Sequence, residues 1–151
     1  MNLTRGTGLM SHVFDGYAPQ KGAIPERRNG VLVSAEEGEL VPYALFKLEP
    51  RGRMFVSPGE PVYEGMIVGI HTRDNDLVVN PIREKKLTNI RAAGKDENVV
   101  LTPPIQLTLE SAIEFIADDE LVEITPKSIR LRKRHLKENE RKRASRVEVV
   151  A

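Results

Sequence analysis

The 151-residue chain contains no cysteine and no tryptophan. Without cysteine there are no disulfides and no thiolate-held zinc, and a cytoplasmic location is compatible with the composition. Aromatic residues are sparse, at four Phe and three Tyr, too few for a broad platform on which bases stack. No apolar run approaches the roughly 18 residues of a membrane span. The opening MNLTRGTGLM lacks the apolar centre of a secretion signal. Its Thr4–Gly8 stretch lacks the Lys-Ser/Thr ending of a phosphate loop, and no Walker A pattern occurs anywhere in the chain. Nucleotide hydrolysis by this chain is therefore not expected. His12, His71 and His135 lie far apart, and neither Ser57 nor Ser111 has a histidine beside it. His71 with Asp74 and Asp76 reads as a polar hairpin turn before it reads as a metal site. Asp118, Asp119 and Glu120 read as a solvated carboxylate run at a helix end.

Hydrophobic residues make up 40% of the chain and charged residues 30%, enough apolar material for one domain with a real core. The net charge of +1 conceals a separation of sign. Residues 1–126 carry 13 Lys/Arg against 19 Asp/Glu, and residues 127–146 carry 10 against 2. A basic tail on a mildly acidic body points to nucleic acid or an acidic partner. A second concentration of cations lies inside the body. Arg83, Lys85, Lys86, Arg91 and Lys95 fall in 13 residues, with Gly94 among them and Asp96 and Glu97 behind. No helical or strand period runs through this stretch. A long, basic, glycine-containing loop in a compact domain suits a polyanion such as a nucleic-acid backbone.

Hydrophobic periodicity divides the rest. Residues 1–18 read as a strand fragment carrying Leu9, Val13 and Tyr17, and residues 19–30 as a Pro/Gly/charge-rich linker. From Gly30 to about Gln106 the pattern is all-β. Val31–Ser34, Val41–Leu48, Arg53–Val56, Met66–His71 and Leu77–Asn80 are short β-rich runs separated by turn residues. A small barrel or a sandwich both fit. The period then becomes helical, with Leu109, Ala112, Ile113, Ile116 and Ala117 on one face and Thr108 as N-cap. Leu121–Ile124 reads as a strand. In Ser128–Arg134 the aliphatics Ile129 and Leu131 alternate with Arg130, Arg132 and Arg134, which predicts three guanidinium groups about 6–7 Å apart on one strand face. Leu136–Arg146 is polar all round and reads as a solvated helix or a tail that orders on its partner. Arginine contacts to phosphate carry no sequence information, so recognition of shape is expected.

Four segments, ERRNGVLVS (26–34), PGEPVYEGMIVGIHTRDNDLVVN (58–80), KKLTNIRAAGKDE (85–97) and the run from Leu101 to Leu136 beginning LTPPIQLTLESAIEFI, closely resemble the C-terminal part of the BipA (TypA) family of bacterial translational GTPases. TRGTGLMSHVFDGY, near the N-terminus, resembles the last strand of the ferredoxin-like fifth domain that this family shares with elongation factor G.

The resemblance implies a mainly β fold, a small oligonucleotide-binding-like barrel with an added helix near 108–118 and a basic C-terminal strand and tail. It divides the chain into a strand fragment of the preceding domain (1–18), a linker (19–30), the family-specific barrel domain (31–146) and a tail (147–151). The orphaned strand is expected to be disordered, paired onto the barrel or swapped between copies. GTP and magnesium would belong to a GTPase domain outside this chain, which itself would hold no cofactor. The implied role is ribosome binding in large-subunit assembly and stress adaptation. The implied partners are large-subunit rRNA and the acceptor end of the A-site tRNA, with no membrane and no small-molecule substrate. The matching loop cations are Lys85, Lys86, Arg91 and Lys95. Lys95 varies in the family, and Ala93 stands where its members commonly carry Ser. Arg130, Arg132, Lys133, Arg134, Arg141, Lys142 and Arg143 match basic family segments placed against rRNA. A stand-alone RNA-binding barrel and a protein-interaction module are the alternative readings.

Overall fold

The computed structural model describes residues 7–20, 22, 27–83 and 100–148. Eight short strands and three helices follow in chain order: β1 (Val31–Ser34), β2 (Gly38–Glu39), α1 (Pro42–Leu48), β3 (Gly52–Met54), β4 (Pro61–Val62), β5 (Met66–His71), β6 (Leu77–Val79), α2 (Leu109–Phe115), β7 (Glu120–Ile124), β8 (Ile129–Lys133) and α3 (Glu138–Glu148). The fold is mainly β. Its principal sheet runs β6-β1-β5-β8-β7, with β3 also on β5, and β2 and β4 form a separate pair. Among the described residues no pairing joins β6 to β7, so the sheet is open between these strands.

Strand β5 organises the sheet. Its edge away from β1 is divided between β3, which pairs with Gly69–His71, and β8, which pairs with Met66 and Ile67. On the other edge the register shifts: Leu32 faces Gly69 and Val33 faces Ile67, so Val68 is the extra residue of a bulge. Both faces of the sheet are covered, which is why β1 and β5 read as continuous apolar runs. Leu32, Met66 and Val68 join Leu40, Leu45, Met54, Val56, Val62 and Val79 on one side. Val31, Val33 and Ile67 join Ala112 and Leu131 on the other.

Two sequence expectations change. Residues 42–48, within the β-rich run 41–48, form helix α1. Pro42 occupies the first turn, where its fixed φ favours a helix. Ala44 and Leu45 are its buried residues, and with Leu40 and Leu48 they follow helical spacing. Helix α2 begins as expected, with the Thr108 hydroxyl accepting from the Ser111 N–H and the Ser111 side chain closing a capping box. It buries a different stripe, however. Ala112, Phe115 and Ile116 pack inward while Leu109 and Ile113 remain exposed. Phe115 sets this rotation by meeting Phe55 edge-to-face at a centroid distance of 5.3 Å. The helix ends at Phe115, before Asp118-Asp119, because Ile116 is already extended.

Residues 7–20 form neither strand nor helix. Leu9, Met10, Val13 and Tyr17 are each at least 90% exposed, so the apolar residues of this segment add nothing to the core.

Candidate nucleic-acid interface

The basic stretch after Arg83 springs from a fixed base. The Asn80 carboxamide oxygen accepts the Ile82 N–H at 3.1 Å, and Val41 N–H donates to the Pro81 carbonyl at 3.3 Å. On the return side Thr102 N–H donates to the Glu49 carboxylate at 2.5 Å, and Ile105 N–H to the Met54 carbonyl at 2.8 Å. Ile82 and Leu101 pack against the same hydrophobic cluster. Both ends of the stretch are thus tied to one core. Lys85, Lys86, Arg91 and Lys95 themselves lie outside the described residues.

Strand β8 presents its arginines differently from a simple alternating row. Arg130 and Arg132 are half-buried and lie opposite Glu123 and Leu121 of β7. Opposed residues share a face, so a carboxylate accompanies the pair. The Tyr63 hydroxyl donates to that same Glu123. Burial, followed by the bond to Glu123 and its charge, pushes the phenol upward against the opposing pull of Arg132 and Arg130, so Tyr63 stays protonated. Arg134 falls beyond the strand, and its Nη2 donates to the Asp118 carbonyl at 2.8 Å. Two guanidinium groups, not three, remain on the strand face.

Lys133 leaves the nucleic-acid set. It is 2% exposed. Its Nζ is 2.6 Å from Asp76 Oδ2, 2.8 Å from Asp119 Oδ2 and 2.9 Å from Glu120 Oε1. An ammonium ion spent on three carboxylates has no donor to offer a phosphate. The carboxylates at 118–120 are therefore not merely solvated: Glu120 is buried, and it also takes a bidentate grip from Arg27, Nη1–Oε2 at 2.6 Å and Nη2–Oε1 at 2.8 Å. Arg27 lies 4.7 Å over the Phe115 ring as well. Asp76 receives the Val31 N–H at 2.9 Å. Burial alone would raise the Glu120 carboxyl, but hydrogen bonds from Arg27 and Lys133 hold it below its ordinary value. Burial would likewise lower Arg27 and Lys133, yet bonding to these carboxylates raises both. The sequence reading missed this network because its members are dispersed between residues 27 and 133.

The tail cations divide in role. Arg141 Nη1 donates to the carbonyls of His135 and Leu136, folding back on the approach to its own helix. Lys142 pairs with Glu138 one turn earlier at 2.6 Å and lowers that exposed carboxyl. Such a surface pair is easily exchanged for another anion. Arg143 is exposed. In the hairpin after β5, His71 Nδ1 is 2.6 Å from the Asn75 carbonyl, so its imidazole closes a turn. Among the described residues no group of three metal-ligating side chains is assembled, and no helix is long and apolar enough to cross a membrane.

Residues 29–138 match the model of the TypA/BipA C-terminal domain. The Large ribosomal subunit assembly factor BipA of Escherichia coli strain K12 is 57% identical over 147 residues. The proteins of the same name from Salmonella typhimurium strain LT2 and Haemophilus influenzae strain Rd are 56% and 55% identical over the same length. Each alignment covers 97% of this chain and 24% of the relative, so the chain spans about a quarter of the length of these proteins. The chain belongs to the TypA/BipA family and carries its C-terminal domain.

Proposed function

We propose that this chain is the RNA-contact module of a translational GTPase that acts in the cytoplasm on assembly of the large ribosomal subunit. The observation that carries the reading is the 57% identity, across nearly the whole chain, to proteins named for that assembly. GTP and magnesium would be held by a separate GTPase domain, whose nucleotide state would decide whether the whole body docks. The present residues supply contacts, not turnover.

In this reading the sheet is the rigid platform and the 83–97 stretch is the finger that orders on RNA. Lys85, Lys86 and Arg91, with Lys95 as a secondary contact, neutralise phosphates of rRNA and of the A-site tRNA acceptor end. A glycine at position 94 leaves the backbone of this stretch free to turn as it binds. The tethering of both ends through Ile82 and Leu101 supports the reading, because it fixes where the finger starts and reduces what must be ordered on binding. Arg130, Arg132, Arg134 and Arg143 add peripheral charge. A role under stress follows if the assembly step becomes limiting there.

The test is binding of the purified chain to ribosomes across a salt series. Replacing Lys85, Lys86 and Arg91 with alanine should lower the slope of log affinity against log salt by about 2 to 3, since each phosphate contact contributes about 0.7–0.9. An unchanged slope would refute the finger as the RNA contact.

A further inference from the structure

The sheet brings together a set of arginines that are scattered in sequence. Arg51 and Arg53 flank the start of β3, Arg73 follows β5, and Arg28 precedes β1. The backbone places them side by side. Thr72 N–H donates to the Arg51 carbonyl at 2.9 Å, and Gly30 N–H donates to the Arg73 carbonyl at 2.8 Å. The Asn29 side chain, beside Arg28, donates to the His71 carbonyl at 3.0 Å. Three adjacent strand ends, on backbones about 5 Å apart, therefore each carry an arginine. Arg53 lies one pleat inside, opposite Ile70 and on the face away from buried Met54.

All four are exposed. Among the described residues none takes part in an ion pair. The nearest carboxylate in sequence that is still exposed and unpaired is Asp74, while Asp76 is committed to Val31 and Lys133. Stability does not explain such a concentration, because like charges on neighbouring strand ends repel. The patch also lies close to an anchor of the chain that follows the basic stretch: Glu49, which accepts the Thr102 N–H, belongs to the short 3-10 turn Glu49–Arg51.

We propose that Arg28, Arg51, Arg53 and Arg73 form a second phosphate-binding patch, which takes the backbone of a structured RNA beside the finger. The proposal rests on the RNA-contact reading above and adds a separate surface to it. Guanidinium groups suit this task because each offers a planar fork to phosphate oxygens. Long side chains rising from adjacent strand ends let neighbouring forks reach neighbouring phosphates without reading bases.

The test uses the 151-residue chain and a labelled, protein-free RNA hairpin, with affinity measured from low to moderate salt. Two triple variants are compared: Arg51→Ala with Arg53→Ala and Arg73→Ala, and the finger variant Lys85→Ala with Lys86→Ala and Arg91→Ala. The patch variant should lower the salt slope by about 2 to 3 and leave the melting temperature unchanged. The same three positions changed to lysine should keep most of the slope. A patch variant that binds the hairpin like the parent, while the finger variant loses slope, overturns the patch and leaves the finger reading standing. Retained hairpin binding with lost ribosome binding assigns the patch to an acidic protein and also overturns it. No hairpin binding by the parent chain at low salt overturns the patch together with autonomous RNA contact.

Discussion

Arg27 holds both oxygens of the Glu120 carboxylate with its two terminal nitrogens, across 93 residues of sequence. The contact joins the segment before β1 to the start of β7. Breaking a buried pair strands a charge and costs more than the pair contributes. Lys133 still pairs with Glu120 when Arg27 is removed, so Arg27→Ala should destabilise the domain by about 1–3 kcal/mol in urea unfolding, the cost of lost charge-assisted hydrogen bonds. Arg27→Lys should recover only part of this, because an ammonium ion lacks the bidentate fork. A loss below about 1 kcal/mol would place the pair in the class of surface ion pairs.

The same network predicts acid sensitivity. Glu120 is held below its ordinary value in the folded protein, so the unfolded chain takes up its proton first as pH falls. The stabilisation is present above the ordinary carboxylate range and is lost as pH drops through the depressed folded value. Lys133 and Arg27 are raised. Their stabilisation is complete below their ordinary values and disappears only as strong alkali passes the raised ones. Chemical unfolding followed from pH 7 into acid should show a falling limb that flattens in Glu120→Gln.

Lys133 separates structural from RNA-facing charge. Lys133→Met should lower stability, because three carboxylates lose their shared cation. It should leave the salt slope of RNA binding unaltered. A reduced slope with intact stability would return Lys133 to the phosphate contacts.

Helix α2 depends on its cap. Thr108→Ala removes the acceptor for the Ser111 N–H and should cost about 1 kcal/mol, detectable as a lower melting temperature. Ser111→Ala should cost less, since the Thr108 acceptor remains.

Gly65 precedes β5 with φ at +85°, and a Cβ there would meet the Leu136 Cα at 2.7 Å. Gly65→Ala combines backbone strain with a collision, so the loss should exceed 1 kcal/mol. Protease cleavage between β8 and α3 should rise if Leu136 is the group that yields.

Much of the sheet was legible because its strands carry their own punctuation. Met66–His71 is the strand that the sequence predicts, and Val31–Ser34 likewise. The Thr108 cap was also legible, since capping is a local rule. Helix α1 was misread because Val41, Tyr43 and Phe46 have strand propensity, and Pro42 with the spacing of Leu40, Ala44 and Leu45 outweighed them. The Lys133 side chain obeys the alternation of β8 but meets Asp76, 57 positions earlier. No periodicity reports a partner at that range. The strand-end arginines escaped notice for the same reason, since only the pairing of β3, β5 and β1 makes neighbours of them.

The bulge at Val68 bears on how the sheet finds its alignment. A strand with one oily and one watery side is kept in place by that contrast, since sliding it by one residue turns the oily side outward. Strand β5 lacks the contrast: Met66 and Val68 are buried on one side and Ile67 on the other. Sliding would be nearly invisible to hydrophobic burial. Shape must supply the discrimination instead. A Cβ at Gly52 would strike the Ile70 carbonyl oxygen at 1.8 Å, and one at Gly69 the Arg53 oxygen at 2.5 Å. Only an alignment that brings these bare positions against the neighbouring backbone closes the β3–β5 seam, so the two glycines act as the notch and key by which the central strand is seated.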